Sequence, residues 1–444
     1  MFDPIQTTRD KLPPGVKDDL YEQTVLFASV LKWFALATLV GVLVGLATTA
    51  FLQGLAAALA WTARVQHSWF VFLLLPLGML TSTSLVRTFA PEARGHGTEK
   101  VIEAVHTSYG RIPPMVVPVK LVATIVTLAC GGSAGKEGPC AQIGAGICSL
   151  FADIFRFKDL DRRKLVICGV SAGFATVFGT PIAGALFAVE VLSVGQIQYQ
   201  ILFPSFVAGV TGFQVAKMLG GTYFAHPVSL HFAFSEKQFV EVAFAGVVFG
   251  LCAYLFIALT RGVSRISHRF HAHPYLRALG GGAILSVVML FSTRYVGLGL
   301  DFTESLLEGT ASAHWYDPWM KMIATTVTLG FGGSGGILTP IFFIGSSLGN
   351  LLGQLFHMQP GFFAALGFIG FLSGCANTPI AASVMAMELF GTEIGVFAAM
   401  VSIISFLMTG HRSVYPSQVL AMRKSDSLDI TLGQPFVPAQ KEPD

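Results

Sequence analysis

The chain has 444 residues, of which 53% are hydrophobic and 12% charged. A soluble domain carries about 25% charged residues, so half that proportion over such a length excludes an ordinary soluble protein and sets most of the surface against lipid. The net charge of +3 is too small for a nucleic-acid binder. Cysteines at 130, 140, 148, 168, 252 and 375 sit in or beside apolar stretches, and no CxxC pair occurs. Buried thiols are expected, with neither a disulfide frame nor a metal site.

Residues 1–24 form a polar N-terminal segment with no cleavable signal. Apolar runs follow at about 25–61, 68–90, 115–130, 165–192, 201–219, 239–260, 278–292, 320–331, 340–357, 361–374, 379–390 and 394–409. Several fall short of the roughly 20 residues that a straight span needs. Others exceed 30, which predicts tilted helices or two helices tightly joined. Short, glycine-interrupted runs point to discontinuous helices. The two most basic stretches, Arg156–Lys164 and Arg261–Arg277, are placed in the cytoplasm by the positive-inside rule. These features predict an all-α polytopic membrane protein with a first transmembrane half at 25–220, a linker at 221–238, a second half at 239–415 and a short tail at 416–444.

The halves repeat each other. Residues 119–146 read VKLVATIVTLACGGSAGKEGPCAQIGAG, and residues 320–347 read MKMIATTVTLGFGGSGGILTPIFFIGSS. At a constant offset of 201, identities include Lys120/Lys321, Thr124/Thr325, Thr127/Thr328, Ser133/Ser334, Gly135/Gly336, Pro139/Pro340 and Gly144/Gly345. At offset 198, Thr180-Pro181-Ile182-Ala183 meets Thr378-Pro379-Ile380-Ala381, and Glu190 meets Glu388. A weaker match pairs Gly95-His96-Gly97 with Gly297-Leu298-Gly299, and Glu99 with Asp301. Matches in one order at nearly one offset argue for two homologous halves about a pseudo-two-fold axis, with the substrate site at their interface.

In each repeat an apolar helix ends, glycines break it, and a proline stands where a new helix can begin. A helix start leaves free amide N–H groups and about half a positive charge. In hydrocarbon such groups need a partner. Starts at Pro139 and Pro340, with the turn at 95–97, are expected to ring an anion with amides. No fixed charge is needed, so binding can be firm without trapping the ion. Glu137 is the acid inside the first break, and an intramembrane carboxylate is a functional hypothesis by default. Ionised, it can take the anion's place among the amides; protonated, it can leave, which couples a proton to anion passage. Its repeat partner is Leu338, so the second half offers no matching acid. A structural ion pair with Lys136 is the plain alternative.

These residues resemble the CLC family of chloride channels and anion/proton antiporters over roughly residues 30–420. GKEGP at 135–139 is similar to the family's G(K/R)EGP motif, which implies that Glu137 is the external gate and proton acceptor. GGILTP at 335–340 resembles the GxFxP element, whose amides here belong to Ile337 and Leu338. Gly95-His96-Gly97 stands where the family has GSGIP, and Tyr415 in SVYPSQ is the candidate for the anion-touching tyrosine. The anion-binding set the resemblance implies is His96, Gly97, Gly135, Lys136, Gly138, Gly336, Ile337, Leu338, Thr339 and Tyr415. It also implies the CLC fold of two inverted repeats with broken and re-entrant helices, and a homodimer; the short tail fits a bacterial form in the inner membrane, and no cofactor is expected. The departures are His96 for serine, Thr339 after Leu338, and Val191 where proton-coupled chloride exchangers carry an inner glutamate. Together they resemble the fluoride/proton antiporter branch, with chloride/proton exchange or a chloride channel as the alternative.

Other groups have plainer expectations. Glu190 and Glu388 are equivalent and are expected to bind loop amides. Glu99 and Asp301 are expected to cap helix starts. Phe342 and Phe343 are candidates for the anion path, and His271 and His273 read as loop. No HExxH motif or GxSxG elbow supports an intramembrane enzyme, and a cation transporter would need several acids facing one cavity.

Overall fold

The computed structural model describes residues 14–65, 71–221, 236–270 and 272–436. The linker expected at 221–238 and His271 therefore lie mostly or wholly outside the described residues. Among the described residues sixteen α-helices follow in order. The first half holds α1 (Pro14–Val65), α2 (Val71–Phe89), α3 (Thr98–Thr107), α4 (Val116–Ala129), α5 (Glu137–Ile154), α6 (Asp159–Phe178), α7 (Pro181–Glu190) and α8 (Tyr199–Met218). The second holds α9 (Glu236–His268), α10 (Pro274–Phe291), α11 (Leu300–Leu307), α12 (Asp317–Gly330), α13 (Leu338–Leu355), α14 (Pro360–Ala376), α15 (Pro379–Phe390) and α16 (Gly395–Met408). Two short strands, β1 (Ser193–Val194) and β2 (Val419–Leu420), pair in parallel and fasten the tail to the body.

Stretches within α1, α2, α8, α9 and α10 are long and apolar enough to cross a membrane. Their outer faces carry exposed leucines and phenylalanines, such as Leu39, Leu43 and Phe244. Inside them α5, α6, α13 and α14 are almost wholly buried. The structure decides two of the long runs. The run at 25–61 takes the single-helix alternative: α1 is one 52-residue helix that begins within the polar stretch, at Pro14. The run at 165–192 is two helices, because Gly179 closes α6 in the left-handed conformation and Pro181 opens α7. The same break recurs between α14 and α15, with Asn377 left-handed and Pro379 first in the new helix.

The repeated residues are the ones that join the halves. The Ser133 N–H donates to Thr328 Oγ1 at 3.0 Å, and the Ser334 N–H donates to Thr127 Oγ1 at 3.1 Å. Ser133 Oγ shares a hydrogen bond with Thr325 Oγ1 at 3.1 Å, and Ser334 Oγ with Thr124 Oγ1 at 3.2 Å. A break exposes backbone groups inside an apolar protein, and each half supplies the other with the hydroxyls that satisfy them. Glu190 accepts from the amides of Ile380 and Ala381 at 3.0 and 2.7 Å, and Glu388 from Ile182 and Ala183 at 3.1 and 2.8 Å. Each acid thus caps the first turn of the other half's helix, as their equivalence led us to expect. Close packing repeats too. A side chain on Gly144 would strike the Gly169 carbonyl, and one on Gly345 would strike that of Gly367, so α5 crosses α6 as α13 crosses α14, backbone against backbone.

This exchange gives a stability prediction. Thr124→Val and Thr325→Val each leave one buried serine hydroxyl without its threonine. Each is expected to lower unfolding free energy in detergent by about 1–3 kcal/mol, and by similar amounts because the sites are related by the repeat. Denaturant midpoints for the two variants check this.

Candidate anion site

Both breaks put a helix start at the centre of the protein. Lys136 and Ile337 are the N-cap residues of α5 and α13, and neither side chain caps its helix. Glu137 and Leu338 are then the first helical residues. The breaks bind each other: the Gly135 N–H donates to the Gly336 carbonyl at 2.7 Å, and the Gly336 N–H to the Gly135 carbonyl at 2.6 Å. This two-residue bridge fixes the two helix starts relative to each other. A side chain at Gly135 would collide with Glu137 Oε2 and Thr339 Oγ1, so the glycine makes the room in which those groups meet.

Glu137 is 1% exposed. Its carboxylate turns away from its own helix and sits at the start of α13. Thr339 Oγ1 donates to Oε1 at 2.5 Å, and the Thr339 N–H donates to Oε2 at 3.2 Å. One residue thus holds both oxygens, with the positive end of α13 behind it. The amide that meets the carboxylate is Thr339's rather than that of Ile337 or Leu338. With α13 starting at Leu338, the threonine is in the first turn, where N–H groups have no carbonyl of their own helix to bind. Lys136 is not the partner of Glu137. It lines a cleft of about 240 Å³ with Gln53, Thr176 and Leu298.

The 95–97 turn closes the site from the other side. Gly95 and Gly97 both have positive φ, 76° and 84°. The His96 carbonyl packs so tightly on Gly138 that a side chain there is excluded. Lys120, fully buried on α4, holds the turn by donating to the carbonyls of Ala93 at 3.1 Å and Gly95 at 2.5 Å. Lys321 does the same for the carbonyls of Tyr295 and Gly297 at 3.3 and 2.9 Å. These lysines are a repeat identity whose role sequence reading missed; a lysine kept in two apolar helices was the available signal.

Tyr415 is fully buried, its ring 5.6 Å from that of His96. Its hydroxyl interacts with that of Thr98, neither hydroxyl has a further partner, and His96 Nδ1 is buried with none. Buried polar atoms short of partners are costly, and three together around one turn suit a polar guest. Thr98 was also missed, although a hydroxyl directly after Gly97 was visible. The tail presents Tyr415 through Gln418, whose Nε2 donates to the Val191 and Ala376 carbonyls at 2.8 Å each. Lys424 completes the fastening with bonds to Asn377 Oδ1 and the Phe406 carbonyl, both at 2.6 Å, and burial draws its ammonium down to about 7.

The other candidates have these contacts. Phe342 stacks on Phe368 at 3.9 Å and meets Phe178 edge-on, while Phe343 packs with Tyr295 and Phe302. Glu99 does not cap α3; it crosses to Ser417 in the tail. Asp301 stands exposed in the first turn of α11, whose N-cap carries no side-chain bond. His273 is the N-cap of α10.

The sequence model for the voltage gated chloride channel family matches residues 78–410. The chain belongs to the voltage gated chloride channel family. It is a CLC-type anion transporter and not an enzyme. It is 36% identical over 406 residues to a chloride/fluoride channel protein of Pseudomonas syringae pv. tomato, covering 89% of this chain and 88% of that one. It is 29% identical to the H(+)/Cl(-) exchange transporter ClcA of Cronobacter sakazakii, covering 80% and 81%. Among solved structures, a CLC-type fluoride/proton antiporter superposes with a TM-score of 0.83 at 29% identity, covering 87% of this chain and 98% of that one. The CLC fold, with its inverted repeats and interrupted helices, is therefore the fold of this chain.

Proposed function

We propose that the protein is a proton-coupled fluoride antiporter that exports fluoride, with Glu137 as its protonatable gate. The observation that carries this reading is the double hold of Thr339 on Glu137, by hydroxyl at 2.5 Å and amide at 3.2 Å. Donors that fit one carboxylate oxygen each also fit a small anion. Ionised Glu137 and the anion then compete for the same helix start. A protonated Glu137 loses most of that attraction, because a charge-assisted hydrogen bond is roughly twice as strong as a neutral one. Uptake of a proton therefore frees the donors for the anion, and loss of the proton returns the gate.

Fluoride is small and strongly hydrated, and close donors must replace its water. The hydroxyls of Thr339, Thr98 and Tyr415, the His96 ring and the amides around Gly97, Gly138, Ile337 and Leu338 form the proposed set, framed by Gly135 and Gly336, whose own N–H groups bind each other's carbonyls. Lys136 contributes as a cation at one mouth. The chloride/fluoride channel relative and the fluoride/proton antiporter structure support fluoride as cargo. Chloride/proton exchange is the second reading, favoured by the likeness to ClcA.

The basic stretches give the orientation. Arg277 feels Arg87 and Arg94, next to the 95–97 turn, and Arg261 feels Arg412. Lys32 pairs with Asp161. Asp159 pairs with Arg111, which shares a cleft with Lys100 just after the turn; these links support one face for both basic stretches, the turn and the tail, cytoplasmic by the positive-inside rule. The Lys136 cleft is lined by Leu55, Ala56 and Leu59 of α1. At 1.5 Å per residue these lie about 35–40 Å along the helix from Lys32, which supports a cleft that faces outward. A bacterial inner membrane and a homodimer complete the proposal; Ile182, Ile380, Val396 and Ile403 stand exposed on α7, α15 and α16 as apolar surface for a second copy.

Purified protein in liposomes loaded with fluoride or chloride tests the cargo. Ion-selective electrodes are expected to record fluoride release at least tenfold faster than chloride release. Equal rates would sink the fluoride assignment and leave the chloride reading.

A further inference from the structure

The mechanism proposed above uses one acid, Glu137, which is shut inside the protein. Protons on the cytoplasmic side have no direct way to it. Val191, at the end of α7, is 1% exposed and carries no titratable group. Glu99 is differently placed. It sits in the first turn of α3, two residues after Gly97, whose backbone presses on Gly138 next to Glu137. Its Oε1 accepts from the Ser417 N–H at 2.9 Å and from the Ser417 hydroxyl at 2.5 Å. Its Oε2 is closed to solvent and has no partner at all.

A carboxylate kept only to fasten the tail would have both oxygens satisfied, as Glu190 and Glu388 do. Glu99 leaves one oxygen bare in the interior, where an unpaired polar atom is costly. The neighbours lead in two directions. Inward, Tyr415 lies two residues before Ser417, feels both Glu99 and Glu137, and interacts with the Thr98 hydroxyl. Outward, Glu103 lies one turn along α3 and acts on Glu99; it pairs with Lys100 at 2.8 Å. Both line a cleft of about 180 Å³ with Arg111 and Gln142.

We propose that Glu99 is the acid through which protons pass between the cytoplasmic cleft and Glu137. The proposal rests on proton-coupled anion transport. A proton from the cleft, handed on by Glu103 one turn away at its edge, binds the free Oε2 and makes Glu99 a neutral acid. That O–H then breaks as the proton moves inward over the hydroxyls of Tyr415 and Thr98, and it ends on the Glu137 carboxylate. Glu99 is left ionised for the next proton, and no bond other than O–H changes. The charged and titratable groups that face Glu99 are Lys100 and Glu103 on its own helix and Tyr415 from the tail, which in turn feels Glu137; His96 and the Lys120 ammonium flank the turn behind it.

The test is simultaneous recording of fluoride and proton flux from liposomes containing the full chain. Glu99→Gln keeps an oxygen for Ser417 but cannot cycle a proton. Its protons moved per fluoride are expected to fall at least tenfold, while fluoride binding by calorimetry stays within threefold. Glu99→Asp restores the acid and is expected to keep the ratio within twofold of the unmodified chain. Ser417→Ala, which loosens the tail without removing the acid, is expected to keep the ratio as well. If the glutamine variant does not fold, Glu99→Asn against Glu99→Asp makes the same comparison at equal side-chain length. A glutamine variant with the unmodified ratio overturns the proposal. So does a ratio lost equally in Ser417→Ala, which would make Glu99 a positioning residue for Tyr415. If the unmodified chain carries fluoride with no protons, antiport itself fails and the relay with it; if it couples and Glu99→Gln couples equally, only the relay fails.

Discussion

Glu137→Gln is expected to uncouple the transporter: proton movement driven by a fluoride gradient falls at least tenfold, while passive anion flux persists. Glutamine has the shape of protonated glutamate and cannot ionise. The carboxylate accepts from both Thr339 donors; an amide has one acceptor oxygen and must aim its NH₂ at the other donor. One of two contacts is therefore lost, and the charge that favoured the start of α13 is lost with it. Hydrogen bonds to a charged group contribute about 1.5–3 kcal/mol, and a charge at a helix start about 0.3–2 kcal/mol. A gate weakened by that much no longer competes with the anion. Parallel fluoride and pH electrodes check it, and proton flux equal to that of the unmodified chain would remove Glu137 from its role.

Thr339→Val is expected to have the next largest effect, on selectivity. It deletes the 2.5 Å donor to Glu137 and keeps the 3.2 Å amide. The loss of about 1.5–3 kcal/mol corresponds to roughly a 10- to 150-fold weaker hold on the carboxylate. A small anion depends on close hydroxyl donors more than a large one does, so the fluoride-to-chloride flux ratio is expected to drop at least tenfold. Thr339→Ser keeps the hydroxyl and is expected to retain the ratio within threefold. An unchanged ratio in the valine variant would place selectivity elsewhere in the site.

The central architecture was legible because the chain repeats itself. Identities such as Thr124/Thr325, Ser133/Ser334 and Glu190/Glu388 recur because each residue serves the opposite half, and a pattern written twice is visible in one sequence. The Gly–Pro breaks were legible because only a few residues permit them. Contacts made once, between segments far apart, left no such trace. Glu99 meets Ser417 across 318 residues, and nothing local to either announces it. That Thr339 holds both oxygens of Glu137 depends on where α13 starts and how it faces α5, which is a property of packing. The length of α1 was hidden because a helix that enters the membrane from water changes from polar to apolar without a break.

The most direct measurement of the central claim is uphill transport. Liposomes holding equal fluoride inside and out, with a proton gradient imposed across the membrane and the voltage clamped by potassium and valinomycin, are followed with a fluoride electrode. Fluoride is expected to move against its own developing gradient, in the direction opposite to the protons, until the proton gradient is spent. Fluoride that stays at equal concentration on both sides while the pH gradient persists would contradict proton-coupled exchange through Glu137.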